Sequence, residues 1–291
     1  FVGKFKERFL ALVLLSTSTG LGFLIKDKLP SSIDLWVPEA NTFFSFAEAP
    51  HFIWSQICVL IAMIGILKFY SSKKYFHLFH ASIFASLAIL EHPFLTPFLI
   101  LFLTLFLISL VENQLEYAKS FIWLLVLPMV TAILLLLYTR NSEGLSIINK
   151  QNILPTPSII NIISGYGLLI FIAVYGIVKL KINDIHKYML VLWTGLLLIL
   201  IYMPFSFQRR LLETLHIPVA ILASFAILQV WGLKNVASKL VVIFLIVFLA
   251  STNIFLTYNA VKTIDADSEF NFSHHVYRSE LEGMRWMREN S

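Results

Sequence analysis

Over most of the chain, apolar residues run together with neither the alternation of a strand nor the polar face of a soluble helix. A helix that is apolar all round is either buried or solvated by lipid, and crossing a bilayer takes roughly 20 such residues. Nine segments fit: 9–25, 52–69, 76–91, 94–111, 120–138, 159–178, 188–203, 214–231 and 240–257. The pattern predicts an all-α, polytopic helical membrane protein with about nine transmembrane helices. Residues 1–258 form the transmembrane domain with short outer loops, and residues 259–291 begin an extracytoplasmic C-terminal region. Only Glu91-His92-Pro93 separates the third segment from the fourth, which predicts a tight helical hairpin. Pro93 and Pro218 fall at helix starts, where a missing N–H costs little, and Pro128 predicts a kink inside the fifth segment.

Composition agrees with the pattern. Of 291 residues, 58% are hydrophobic and 13% charged, about half the charge of an ordinary globular chain. A soluble protein of this composition would have little surface to offer water. The single cysteine, Cys58, lies in an apolar run, so the chain forms no internal disulfide and has no cysteine pair for a metal. Lys and Arg exceed Asp and Glu by 22 to 17. In a membrane protein this excess reads as an orientation signal and not as a nucleic-acid partner.

Loops taken alternately carry the basic residues unequally. One set holds twelve Lys and Arg, from Lys4, Lys6 and Arg8 through Lys68, Lys73 and Lys74 to Lys234 and Lys239. The other holds six: Lys26, Lys28, Arg140, Lys150, Arg209 and Arg210. The positive-inside rule puts the first set, with the N-terminus, in the cytoplasm and the C-terminus outside a cell membrane crossed many times. The less ordinary polar residues then share the outer face.

The first outer loop contains Asp34, Glu39, Glu48 and His51 among aromatic residues. It reads as an interfacial segment with a short helix after Pro38, its carboxylates and His51 facing water or a cavity. One reading is an acid/base or metal-assisted site. The other is an interfacial anchor whose carboxylates cap helices. Glu91 and His92 stand where two helices meet the outer interface, either as a binding site or as a solvated turn. Gln208-Arg209-Arg210 places two arginines against the orientation bias, so something anionic should offset them. A lipid-linked phosphate fits the planar guanidinium, and pairing with Glu213 and phospholipid head groups is the alternative. In the tail, Ser279-Glu280-Leu281-Glu282 forms a capping box, and Leu281, Met284 and Met287 recur at helical spacing.

Asp34-Leu35-Trp36-Val37-Pro38-Glu39-Ala40-Asn41-Thr42-Phe43, Glu48-Ala49-Pro50-His51-Phe52, Glu91-His92-Pro93-Phe94, and Gln208-Arg209-Arg210 with His216-Ile217-Pro218 resemble bacterial membrane proteins related to the GT-C superfamily of glycosyltransferases. Glu282-Gly283-Met284-Arg285-Trp286-Met287-Arg288-Glu289-Asn290 resembles the helix that often follows the last span there. The resemblance implies transfer of a sugar from a polyprenyl-phosphate carrier to an acceptor on the extracytoplasmic side. It implies an acidic residue of the first outer loop as base or as ligand of a divalent metal. Asp34, Glu39 and Glu48 are the candidate catalytic residues. His51, Glu91, His92, Gln208, Arg209 and Arg210 are the candidate substrate-binding residues, and membrane lipid and a polyprenyl-linked sugar are the expected partners.

The chain departs from the family at one point, since no Asp-Asp, Asp-Glu or Asp-X-Asp follows its first segment. With a first residue other than Met, this predicts a fragment whose catalytic N-terminal part lies upstream. The departure equally permits a non-catalytic relative. A transporter or flippase for a lipid-linked or anionic solute is the alternative function, and it predicts helices broken within the membrane.

Overall fold

The computed structural model describes residues 5–91, 120–144, 147, 153–179, 185–204, 207–233, 235–265 and 278–290. Among them the structure is all-helical, without strands. Long apolar runs can satisfy their own backbone groups only as helices where no water is at hand. The helices are α1 (Phe5–Thr17), α2 (Gly22–Ile25), α3 (Ile33–Trp36), α4 (Thr42–Glu48), α5 (Pro50–Ser72), α6 (Tyr75–Glu91) and α7 (Ser120–Asn141). Then follow α8 (Ile159–Tyr166), α9 (Leu168–Lys179), α10 (Ile185–Leu200), α11 (His216–Trp231), α12 (Val236–Leu249), α13 (Ser251–Asp265) and α14 (Arg278–Asn290).

Local chemistry sets several of the boundaries. The Asn41 side chain accepts the Phe43 N–H at 2.9 Å and so starts α4. Pro50 occupies the first turn of α5, where its lost donor is not needed. Lys73 ends α5 in the left-handed conformation, φ 58°, with its N–H bonded to the Phe69 carbonyl at 2.7 Å. The α7 helix runs through Pro128 as one element.

The chain divides into two compact units, Phe1–Asn253 and Ile254–Ser291. The first unit is built around α11, which is buried along nearly all its length and packs against α1, α9, α10 and α12. A second layer runs α5, α6, α7, and α6 turns the small residues Ala81, Ser82, Ala85 and Ala88 inward. The outer surface is apolar, with Leu134 62%, Leu240 61% and Phe244 64% exposed, as a surface bathed in lipid requires. In the second unit, α14 exposes Met284, Trp286 and Met287.

Among the described residues four helical stretches are long and apolar enough to cross a membrane: Phe5–Ile25, Pro50–Ser72, Trp123–Asn141 and Gln208–Trp231. Two bent pairs, Ile159–Tyr166 with Leu168–Val178 and Val236–Leu249 with Ser251–Lys262, raise the number to at most six. The nine expected spans are thus not reproduced among the described residues. The segment 94–111, His92 and the hairpin turn at Pro93 lie outside them. The described parts of the helices expected over 76–91 and 188–203 are 17 and 16 residues long, under the roughly 20 of a typical crossing.

The interruptions have a steric cause. Gly167 takes φ +49° between α8 and α9, which meet at 81°, a conformation glycine adopts without penalty. Across from it, residues 18–21 leave the helix between α1 and α2. A Cβ on Gly20 would stand 2.2 Å from the Ser164 carbonyl oxygen, so only glycine permits this approach. The Leu21 N–H then donates to that same oxygen at 2.9 Å. The two broken helices therefore meet backbone to backbone.

Candidate functional site

Pro38–Ala40 forms a single 3₁₀ turn, flanked by Val37 and Asn41 in extended conformations. The Ser45 hydroxyl donates to the Pro38 carbonyl at 2.6 Å and holds the turn from α4. The turn drives Glu39 inward until it is 1% exposed. From the other direction comes Gln208–Leu212, a second 3₁₀ stretch that leads into α11. Arg210 Nη1 lies 3.0 Å from Glu39 Oε1, and Arg209 Nη2 lies 3.4 Å from the same oxygen.

Aromatic rings hold the guanidinium groups from below. Arg209 lies 5.2 Å over the Trp36 ring and Arg210 5.2 Å over the Phe52 ring. Phe52 sits in the first turn of α5 and the arginines at the start of the stretch Gln208–Trp231, so the cluster stands at the ends of two candidate spans. The arginine side chains remain 20% exposed while Glu39 is sealed behind them. Arg209 brings only Nη2 to the carboxylate, and its Nε is buried without a hydrogen-bond partner among the described residues, as is Glu39 Oε2. A guanidinium carries five N–H donors in a planar fork, so one shared carboxylate oxygen leaves Arg209 well short of its capacity.

Gln208 performs a different task. Its Oε1 accepts the Thr156 N–H at 3.1 Å, and its amide donates to the Met203 carbonyl. The Arg209 N–H donates to the Leu154 carbonyl at 3.0 Å. Residues 153–158, which have no helix of their own, are thereby fastened beside the arginines.

The remaining candidates separate. Asp34, expected to face water or a cavity, is 1% exposed. Its Oδ2 accepts the Gly22 N–H at 3.0 Å and its Oδ1 accepts the Ser32 hydroxyl at 2.6 Å. The Ser164 hydroxyl donates to Ser32 Oγ at 3.0 Å, which continues the chain to α8. Asp34 thus satisfies an open N–H at the start of α2 where the broken helices join. Burial pushes its carboxyl pKa up, and the bonds from Ser32 and Gly22 oppose that rise. Glu48 ends α4 and His51 begins α5, both exposed, with the His51 ring 4.4 Å from that of Phe52. Glu91 is exposed at the end of α6. His92 lies outside the described residues. Among the described residues no three His, Cys, Asp or Glu side chains come close enough to hold a metal ion.

No protein-family model, curated protein or solved structure matches the chain. Function must therefore be argued from the site.

Trp36 and Phe52 were legible in sequence only as interfacial aromatics. His216, quoted above only as part of a resemblance, is 1% exposed and joins three elements. The Thr42 N–H points to Nδ1 at 3.3 Å, with Thr42 Oγ1 at 2.9 Å, and Nε2 lies 3.2 Å from Ser18 Oγ. An amide N–H only donates, so Nδ1 accepts and Nε2 carries the hydrogen. That hydrogen goes to Ser18, whose own hydroxyl donates to the Leu14 carbonyl at 2.5 Å. The ring fastens α11 to the end of α1 and the start of α4, and so fixes both walls of the arginine cluster.

Proposed function

We propose that this chain is a membrane glycosyltransferase-like protein, transferring a sugar from a polyprenyl-phosphate carrier to an acceptor on the extracytoplasmic face. The observation that carries the reading is the pair Arg209–Arg210. The two groups lie 5.2 Å over the rings of Trp36 and Phe52 at the ends of apolar helices, and their side chains stay partly exposed. Lipid phosphates gather at the ends of spanning helices, and a fork of N–H donors suits such a group. The acceptor oxygen attacks the anomeric carbon as the bond from that carbon to the phosphate oxygen breaks. Arg209 and Arg210 stabilise the charge growing on the departing phosphate. His51, exposed with its ring beside Phe52, and Glu48, exposed at the end of α4, take the acceptor proton in this reading.

The test uses this chain in zwitterionic phospholipid nanodiscs, with polyprenyl phosphate as the probe. Losing one hydrogen bond to a charged group costs about 1.5–3 kcal/mol, or about ten- to a hundredfold in affinity. Arg209→Lys and Arg210→Lys should each weaken binding by about that factor. Arg140→Lys, at an exposed position at the end of α7, should not. Equal small effects at all three positions would abandon the phosphate site.

One observation favours a second reading, a transporter for a lipid-linked or anionic solute. Discontinuous helices that meet around a buried polar group are the construction of many transporter sites. Here α1–α2 and α8–α9 are both interrupted and joined through Ser164, Ser32 and Asp34. Vesicles loaded with a labelled solute discriminate the two. Net flux of an intact lipid-linked sugar without its cleavage would favour the transporter.

A further inference from the structure

Arg209 and Arg210 precede the start of α11, and a different surface feature lies at the other end of that helix. We propose that a groove between α1 and α12, floored by α11, binds one anionic phospholipid of the adjacent leaflet. One acyl chain lies in the groove, and Lys6 takes the head-group phosphate.

The groove follows from how three helices meet. Both α1 and α12 pack on α11. At their far ends α1 and α12 are fastened together, where the Thr19 N–H donates to the Leu249 carbonyl at 2.7 Å and the Thr19 hydroxyl to the same oxygen at 3.0 Å. Toward their starts a groove of about 320 Å³ opens between them, lined by Phe5, Phe9, Leu228, Trp231 and Ile246 with Lys6 in the same wall as the phenylalanines. The Phe5 and Phe9 rings stack along that wall, 6.3 Å apart. Leu228 and Trp231, in the last turn of α11, form the floor.

Length and charge together name the occupant. The helix α12 begins at Val236 and belongs to a candidate span, so Ile246 lies ten residues in. That is about 15 Å along the axis, or half of a typical hydrocarbon core. The groove therefore runs from the ends of the helices to the depth of one leaflet, which is the reach of one phospholipid chain. Apart from Lys6 its lining is apolar or aromatic, and no carboxylate lines it among the described residues. A phosphatidylcholine head group would bring a cation with no partner there, whereas an anionic lipid matches Lys6. The lysine stem can lie along the phenylalanine rings while its ammonium stays at the level of the head groups. Lys239, exposed near the start of α12, adds to the same positive field.

Phospholipids brominated on the acyl chain quench tryptophan on contact, and Trp231 lines the groove. The test compares brominated phosphatidylglycerol with brominated phosphatidylcholine in vesicles holding this chain, and the signal of Trp231→Phe is subtracted to isolate Trp231. Phosphatidylglycerol should bind about fivefold more tightly than phosphatidylcholine, the preference that one lysine confers at a membrane surface. Lys6→Gln should bring that ratio near one. Lys68→Gln, an exposed lysine of α5 outside the groove, should leave it unchanged. Ile246→Phe, which fills the inner end of the groove, should lose most of the Trp231 quenching by both lipids. If that variant does not fold, the two lysine variants decide. A wild-type ratio near one, or equal losses in Lys6→Gln and Lys68→Gln, overturns the proposal. It is also overturned if polyprenyl phosphate displaces the brominated lipid more readily than unlabelled phosphatidylglycerol does, since the groove would then hold a carrier chain.

Discussion

Arg210 Nη1 stands 3.0 Å from Glu39 Oε1, and that contact joins the loop before α4 to the turn before α11. Removing one member of such a pair leaves a buried charge without compensation, which costs more than the pair itself contributes. Arg210→Gln and Glu39→Gln should each destabilise the protein by about 1.5–3 kcal/mol. The double variant should lose less than the sum, with a coupling of about 0.5–3 kcal/mol. Unfolding in detergent micelles measures all three. A coupling near zero would make the contact incidental.

Asp34 makes stability depend on pH in a defined direction. Its carboxyl is raised above the ordinary value of 3.8 by burial. A raised acid binds its proton more tightly in the folded state than in the unfolded one. Its contribution is therefore complete below 3.8 and is lost as pH rises through the raised value. Unfolding midpoints should fall over that window in the wild-type chain. Asp34→Asn, whose amide oxygen still accepts the Gly22 N–H, should flatten the slope, and an unchanged slope would refute the assignment.

Gly20→Ala tests the junction of the broken helices. The new Cβ would meet the Ser164 oxygen at 2.2 Å and the Gly165 carbonyl carbon at 2.3 Å, and these backbone atoms yield poorly. We expect a loss of about 1–3 kcal/mol or more. Gly144→Ala, with nothing within 4 Å of its Cβ, should stay within about 0.5 kcal/mol of the wild type. Equal effects at the two glycines would show that the helices do not approach as described.

Orientation is checked with cysteines at the two ends of one helix, in a Cys58→Ser background. Ser45 is fully buried and unsuitable, whereas Ala47 and Ser72 are exposed on either side of the span Pro50–Ser72. The charge asymmetry predicts that a membrane-impermeant thiol reagent labels intact cells at 47 and not at 72. The reverse pattern would put Glu48, His51 and the arginines on the cytoplasmic side and would remove the extracytoplasmic transfer reaction.

Much of the local structure was readable in advance. The short helix after Pro38 is present as α4, started by Asn41 and stopped before Pro50. The arginines were read as needing an anion, and Glu39, 170 residues away in the chain, supplies one that no local pattern indicated. Asp34 and Glu39 were read as facing water or a cavity because their neighbours look like a loop. Nothing local distinguishes them from Glu48, which does stay exposed.

Composition and apolar run length determine by themselves that this chain is helical and built of long apolar segments. Those properties depend on each residue's own transfer free energy and on backbone groups that must pair within the segment. How many segments cross, where two of them break, and which carboxylates are sealed inside depend on contacts between distant parts. Gly20 against Ser164, Asp34 at Gly22, and Glu39 between two arginines each cost free energy unless a partner arrives from another element. Only the packing of the helices brings those partners within reach.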